Sequence, residues 1–170
     1  RRLRLDKIGF IFQAHNLHGS LTALQNVQMG LQVHGLLDPK TEQQAARHAL
    51  SLVGLSDRMD YLPANLSGGQ KQRVAVARAL VGNPEIIFAD EPTAALDLRH
   101  QQLVMELARD LAARGAAVVV VLHDLNLASA YADRILILRE GRTAALGTPQ
   151  ETLTEALLSD IFGCRVAVMP

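Results

Sequence analysis

The stretch EIIFADEPTAALD, Glu85–Asp97, decides the fold. Ile86 to Ala89 are apolar without alternation, so they read as a short strand buried on both faces, the kind found in parallel sheets layered between helices. The strand ends in two adjacent carboxylates, Asp90 and Glu91, with Pro92 directly after them. In open parallel sheets ligands bind beyond the carboxyl ends of the strands, so the acidic pair stands where a site is expected. Taken alone, such a pair is more often a helix cap or a solvated turn.

The same grammar extends in both directions. Downstream, a helical register from about Arg99 to Arg114, with Leu103, Leu107 and Leu111 on one face, leads through Gly115 into AAVVVVLHD, Ala116–Asp124. That is a second doubly buried strand, with His123 and Asp124 at its tip. Upstream, KIGFIF, Lys7–Phe12, reads as a buried strand feeding a loop at Gln13. Helices predicted from Thr22 to about His34 and from Pro39 to Val53 form an insertion between strands, Pro39 suiting a first turn and Gly54 an end. A further helix, Gln70–Val81, has Val74, Ala77 and Val81 on its apolar face and stops at Gly82–Pro84. Beyond His123 come a helix over Leu125–Ala132, a strand over Arg134–Leu138, a turn at Glu140 and Gly141, a strand to about Leu146, and a helical tail to Phe162. The alternation predicts one α/β domain with a parallel sheet covered on both sides. Gln13, the Asp90–Glu91 pair and His123 then stand at three strand ends and converge on one expected site.

Composition removes several function classes. Apolar residues make up 49% and charged residues 20%, and 17 Lys+Arg balance 17 Asp+Glu, so the chain reads as globular with no electrostatic footprint for nucleic acid. The local excess Arg1, Arg2, Arg4 and Lys7 reads as a solvated strand end. Cys164 is the sole cysteine, which excludes an internal disulfide; it reads as an apolar filler in a reducing compartment. The longest apolar run, Ala116–Leu122, is far short of the ~20 residues that span a bilayer, so any membrane link is expected to run through a partner. His15 and His18 have no Cys or carboxylate beside them in their loop and, with His34, His48 and His100, read as surface residues.

A second motif changes the weight of the first. In LSGGQKQR, Leu66–Arg73, Ser67 stands at a helix start, and Gly68 and Gly69 allow close approach of backbone N–H groups to an anion. By itself SGG is more often an ordinary N-cap after a glycine turn. LSGGQ, then KQRVAVARAL, NPEIIFADEPTAALD and VVVVLHD, in this order and spacing, resemble the ATP-binding subunits of ABC transporters over nearly the whole chain. The resemblance implies a partial P-loop NTPase of ABC type: a parallel sheet flanked by helices, an inserted helical subdomain, and a missing P-loop strand. It further implies that Gln13 is the Q-loop glutamine at Mg²⁺ and the attacking water, that Asp90 ligates Mg²⁺, and that Glu91 is the general base. Ser67, Gly68, Gly69 and Gln70 would bind the γ-phosphate of ATP held by a second ATPase subunit, identical or different. Asp97 would cross to that subunit, and His123 would sit at the γ-phosphate. Residues 1–19 would be the strand and Q-loop, 20–64 the helical subdomain docking a transmembrane permease, and 65–170 the rest of the core. The subunit would be cytoplasmic, peripheral on the inner face of the membrane through the permease.

The pattern departs from the family in one respect above all. Its GxxxxGK[ST] loop, whose N–H groups and Lys cradle the phosphates, is not in these 170 residues. GLQVHG, Gly30–Gly35, continues Leu36-Leu37 and lies within a helix pattern, so it is rejected. The adenine-stacking aromatic expected ahead of that loop is not found either, and Ala94 stands where many relatives carry Ser. The chain opens at Arg1 inside what reads as structured sequence, so a fragment or processed chain is expected. The strand ending at His123 and the strand Arg134–Leu138 should then either flank a gap or pair directly, opening an apolar groove. From Ile8 to Asp97 the sequence is similar to exporter-associated members; from His123 onward it is similar to importers of siderophore iron, haem or cobalamin. A non-catalytic subunit that only binds a partner ATPase or permease is the competing function. An ABC ATPase of DNA repair or translation lacks support, since neither a long coiled coil nor paired ATPase halves are present.

Overall fold

A computed structural model describes residues 7–32 and 38–168; Arg1, Arg2, Arg4, His34 and Gly35 lie outside them. The chain divides into two units, Arg1–Val121 and Leu122–Pro170. In the first, β1 (Ile8–Ile11), β2 (Ile86–Asp90) and β3 (Ala117–Val121) form a parallel sheet in that order. The register sets Gly9, Ile87 and Val118 in one row and Phe10, Phe88 and Val119 in the next, so alternate rows face opposite sides.

One face is the core. Ile11, Ile87 and Ala89 are buried with Val74, Val76, Ala77 and Ala79 of α3 (Gly68–Leu80) and Val104 of α4 (Leu98–Ala113). The other face is open: Phe10, Phe88 and Val119 are 43%, 41% and 50% exposed. The Phe10 ring stacks on both Phe12 and Phe88, at centroid distances of 5.8 and 5.5 Å. The expected burial on both faces is therefore corrected. An unbroken apolar run reports that both faces are apolar; whether both are covered depends on elements elsewhere, and among the described residues of the first unit none covers the second.

Both helices expected of the insertion are present among the described residues. Asp38 caps α2 (Pro39–Leu52), its carboxylate accepting from the Lys40 and Thr41 amides at 3.0 and 3.2 Å, and Gly54, at φ +67°, ends it. With α1 (Ala23–Gln32) and α3 it makes a helical cluster around Val27, Leu50, Val53 and Val74. Helix α3 is wrapped by both layers: Gln72 to Ala77 are buried all round rather than along the single stripe expected. Two glycines make this possible. A Cβ on Gly30 would stand 2.4 Å from the Arg78 carbonyl oxygen, and one on Gly9 would stand 2.7 Å from that of Ala79. Gly30, the first residue of the rejected GLQVHG motif, thus serves helix packing.

In the second unit, α5 (Leu125–Tyr131) precedes an antiparallel hairpin of β4 (Ile135–Arg139) and β5 (Arg142–Gly147), then α6 (Pro149–Thr152) and α7 (Glu155–Phe162). Glu140 and Gly141, at φ +52° and +74°, make the tight two-residue turn that a twisted hairpin favours. The parallel sheet expected is that of the first unit; the hairpin of the second is antiparallel, because a two-residue turn can join only antiparallel neighbours. Within this unit strand β4 pairs with β5. Cys164 is exposed, not a filler in the core. No described helix is long and apolar enough to cross a membrane.

Two outcomes follow from this packing. Gly30→Ala should destabilise the chain by about 1–3 kcal/mol, since a backbone carbonyl cannot yield as a side chain does, and denaturant titration reads this directly. Phe88→Thr with Val119→Thr should reduce self-association and apolar-dye binding while leaving the denaturation midpoint nearly unchanged; unaltered dye binding would show that the open face is not the sticky one.

Candidate functional site at the strand ends

Strand β2 delivers Asp90 to its exposed end, and the next residue leaves the sheet abruptly. Glu91 has φ +45°, a conformation that costs a non-glycine residue about 1–3 kcal/mol and persists only where the surroundings hold it. Its amide donates to the Val121 carbonyl at 3.1 Å, and its carbonyl accepts from the Ala94 amide at 3.2 Å. Pro92 and Thr93 are buried beneath this turn. Because Ile11 lies opposite Ala89, Gln13 emerges level with Glu91, and its Nε2 donates to Glu91 Oε2 at 3.0 Å. Two of the three predicted strand-end groups are thereby brought together. His123 opens the second unit; it is exposed, and the adjacent Asp124 caps α5 by accepting from the Asn126 and Leu127 amides.

The LSGGQ segment forms the first turn of α3. Ser67 is the N-cap, its Oγ accepting from the Gln70 amide at 3.2 Å while Gln70 Oε1 accepts from the Ser67 amide at 2.9 Å. The first four amides of a helix have no intrahelical acceptor, and here they belong to Ser67, Gly68, Gly69 and Gln70. The reciprocal cap satisfies the outer two, which leaves Gly68 and Gly69 as the amides the helix itself does not use. The two glycines differ. A Cβ on Gly68 would meet nothing within 4 Å, whereas one on Gly69 would lie 3.1 Å from the Ala95 carbonyl oxygen. Gly69 therefore seats the turn on the segment just before Asp97, and Gly68 keeps one side of it open.

Asp97 caps α4: Oδ1 accepts from the His100 amide at 3.0 Å and pairs with His100 Nδ1 at 2.7 Å. His100 is half-buried, which corrects its reading as a surface residue. Arg73, buried in α3, ties the end of α2 in place by donating to the Val53 and Gly54 carbonyls at 2.8 and 3.2 Å. The Asp97 carboxyl is held below its usual range, first by the His100 amide, then by the imidazole and more weakly by the charges of His100 and Arg73.

Three residues escaped the sequence reading. His15 is half-buried at φ +59°, which corrects its assignment to the surface; its Nε2 is enclosed without a hydrogen-bond partner among the described residues. Burial, and then the charge of Lys71, push its pKa down, with the Gly68 backbone pulling the other way. Asn26, fully buried in α1, accepts from the His18 amide and donates to the His18, Leu21 and Thr22 carbonyls. Arg78 reaches back to the same loop. An Asn between Leu24 and Val27 on the apolar face of a helix was a usable signal; nothing local marks His15.

Because the Asp97 carboxyl titrates lower in the folded chain than in the unfolded one, its contribution is complete above the ordinary value of 3.8 and is lost as pH falls through the lowered one. Asp97→Ser keeps a cap without the titration, so its stability should fall less steeply over that acid range than that of the parent chain, as read by denaturant midpoints against pH.

Comparison with known proteins bears on the same residues. A family model described as ABC transporter matches residues 1–94. The hemin import ATP-binding protein HmuV of Mesorhizobium japonicum is 41% identical over 166 residues, covering 92% of this chain and 63% of that protein. The macrolide export ATP-binding/permease protein MacB of Salmonella choleraesuis is 44% identical over 154 residues, covering 91% of this chain and 24% of that protein. Among solved structures, the dimeric post-hydrolysis state of the ATP-binding cassette MJ0796 bound to ADP and Pi superposes with a TM-score of 0.79 at 40% identity, covering 85% of this chain and 63% of that one. The chain thus spans less than two thirds of each of these proteins. With a family model matching more than half of its residues, the chain belongs to the ATP-binding domain family of ABC transporters.

Proposed function

We propose that the chain acts as an ATP-hydrolysing, energy-coupling subunit of an ABC membrane transporter, with its signature helix serving the nucleotide of a facing ATPase subunit. The Gln13–Glu91 contact at 3.0 Å carries this reading, because it joins a general-base candidate to a side chain on a separate loop beyond the strand ends. Glu91 takes the proton of the attacking water. The Gln13 amide holds one of its carboxylate oxygens, and the left-handed backbone at Glu91 fixes the direction from which that proton is taken.

The residues present suit Mg²⁺. Asp90, exposed at the end of β2, and the Gln13 side-chain carbonyl are hard oxygen donors, and among the described residues no three His, Cys, Asp or Glu side chains cluster as a metal site. Mg²⁺ needs only one or two protein ligands when phosphate and water oxygens supply the rest. When bound it would neutralise the charge on the phosphates. The Gly68 and Gly69 amides and the α3 N-terminus offer an anion site for the γ-phosphate of the facing subunit's ATP. His123 contacts the γ-phosphate, and Asp97 meets the facing subunit beside its own cap on α4. Residues 20–64 dock a transmembrane permease, which holds the subunit peripherally at the inner, cytoplasmic face of the membrane. Hemin import and macrolide export both occur among the relatives' names, so neither cargo is assigned.

The second reading is a subunit that binds a partner ATPase or permease without turning over ATP. One experiment separates them. The chain alone should hydrolyse ATP at background, because the amides and Lys that position the phosphates are not in it. Mixed with a cassette that carries GxxxxGK[ST] but a disabled signature, it should restore turnover, and Gly68→Asp, which has room to fold, should lower that turnover about a hundredfold. Binding of the cassette without restored turnover would establish the second reading.

A further inference from the structure

We propose that Arg78 is the positioning residue for Gln13: its guanidinium holds the loop between β1 and α1 in the conformation that aims Gln13 at Glu91. The inference rests on the reading of Gln13 and Glu91 given above. Arg78 lies near the end of α3, two turns and more from the LSGGQ residues, and its guanidinium bonds to the loop after β1. Its Nη1 donates to the Asn16 carbonyl at 2.6 Å and its Nη2 to the His15 carbonyl at 2.9 Å. One fork thus grips two consecutive peptide groups, a geometry that Lys cannot reproduce.

The gripped residues need holding. His15 and Asn16 stand at φ +59° and +48°, a region that side-chain-bearing residues visit rarely and keep only when neighbouring structure over-determines it. The turn they form begins at once after the strand, since the His15 amide donates to the Phe12 carbonyl at 3.1 Å and the Asn16 amide to that of Ala14 at 2.6 Å. Gln13 sits inside this turn. Its direction is therefore set by the same two peptides that Arg78 fixes.

The arm has a rigid base. Gly30 of α1 approaches the Arg78 carbonyl, and Gly9 of β1 approaches that of Ala79, each too closely for a Cβ. Strand β1 and helix α1 are thus both indexed on the same turn of α3, and the loop connecting them is tied back to that turn by the Arg78 side chain. Farther along, Asn26 ties His18, Leu21 and Thr22 to α1. The charge is chemically conspicuous as well: burial depresses the Arg78 pKa, and among the described residues carbonyl acceptors rather than a carboxylate offset its desolvation. An apolar residue would fill that helix position without this cost.

Amide hydrogen exchange tests the assignment on the full chain, with Arg78→Gln removing the fork and Arg78→Lys keeping the stem and charge. Exchange over residues 13–18 should accelerate at least about tenfold in Arg78→Gln, as expected for losing charge-assisted bonds, and by an intermediate factor in Arg78→Lys. Rates in α2 and α4, and the thermal midpoint, should stay near those of the parent chain, and the Gln13 side-chain amide resonance should shift in both variants. Unchanged exchange over 13–18 in a folded variant would overturn the proposal. So would equal acceleration in the loop and throughout α3, which is what a merely structural arginine gives. If Arg78→Gln fails to fold, Arg78→Lys decides by the same criteria. The readout uses neither nucleotide nor metal, so failure of the ATPase reading in the mixing experiment leaves this result standing, and the reverse also holds.

Discussion

Helix α3 is approached by backbone on two sides, and the rest of the first unit is hung on that contact. Gly9 brings the first strand, and Gly30 the first helix of the insertion, against neighbouring carbonyls of one helical turn. Interiors packed this closely are not continuously deformable, so positions on either side of α3 are determined together. The same helix starts at LSGGQ and passes Arg73, which fastens the end of α2. A single rod therefore carries the LSGGQ turn at one end and the reference point for the Gln13 loop at the other.

Much of this was legible in the sequence because the relevant signals are local. Pro39, Gly54 and Gly82–Pro84 mark helix limits by backbone chemistry, and the observed limits fall within two residues of those expected. Asp90, Glu91 and Gln13 could be found because each ends an apolar strand, and the parallel register then does the rest. What stayed hidden depends on partners distant in sequence. The cover over Phe10, Phe88 and Val119 is a property of the layer above them and leaves no trace in their own pattern. Arg78 sits 62 residues from the loop it grips, amid Ala and Leu, where periodicity reports only a helix. His15 and Asn16 carry no glycine to announce a left-handed turn.

Polar groups at the site are held by secondary-structure ends more than by one another. Ser67 and Asp97 are helix caps in the first unit, and Asp124, beside His123, is one in the second. A cap is anchored by the helix it starts, so each of these side chains inherits the rigidity of a whole element. This also explains why the local readings of SGG and of a strand-end acid as ordinary structural devices were sound as far as they went.

The open sheet face has a thermodynamic consequence. Phe10, Phe88, Val119 and Val121 already meet water in the folded chain, so unfolding hydrates less new apolar surface than a chain of this size ordinarily would. The heat-capacity increment and the denaturant slope both scale with that newly exposed area. A smaller increment flattens the stability curve, which weakens the dependence of folding on temperature and leaves a shallow, broad optimum in place of a pronounced one.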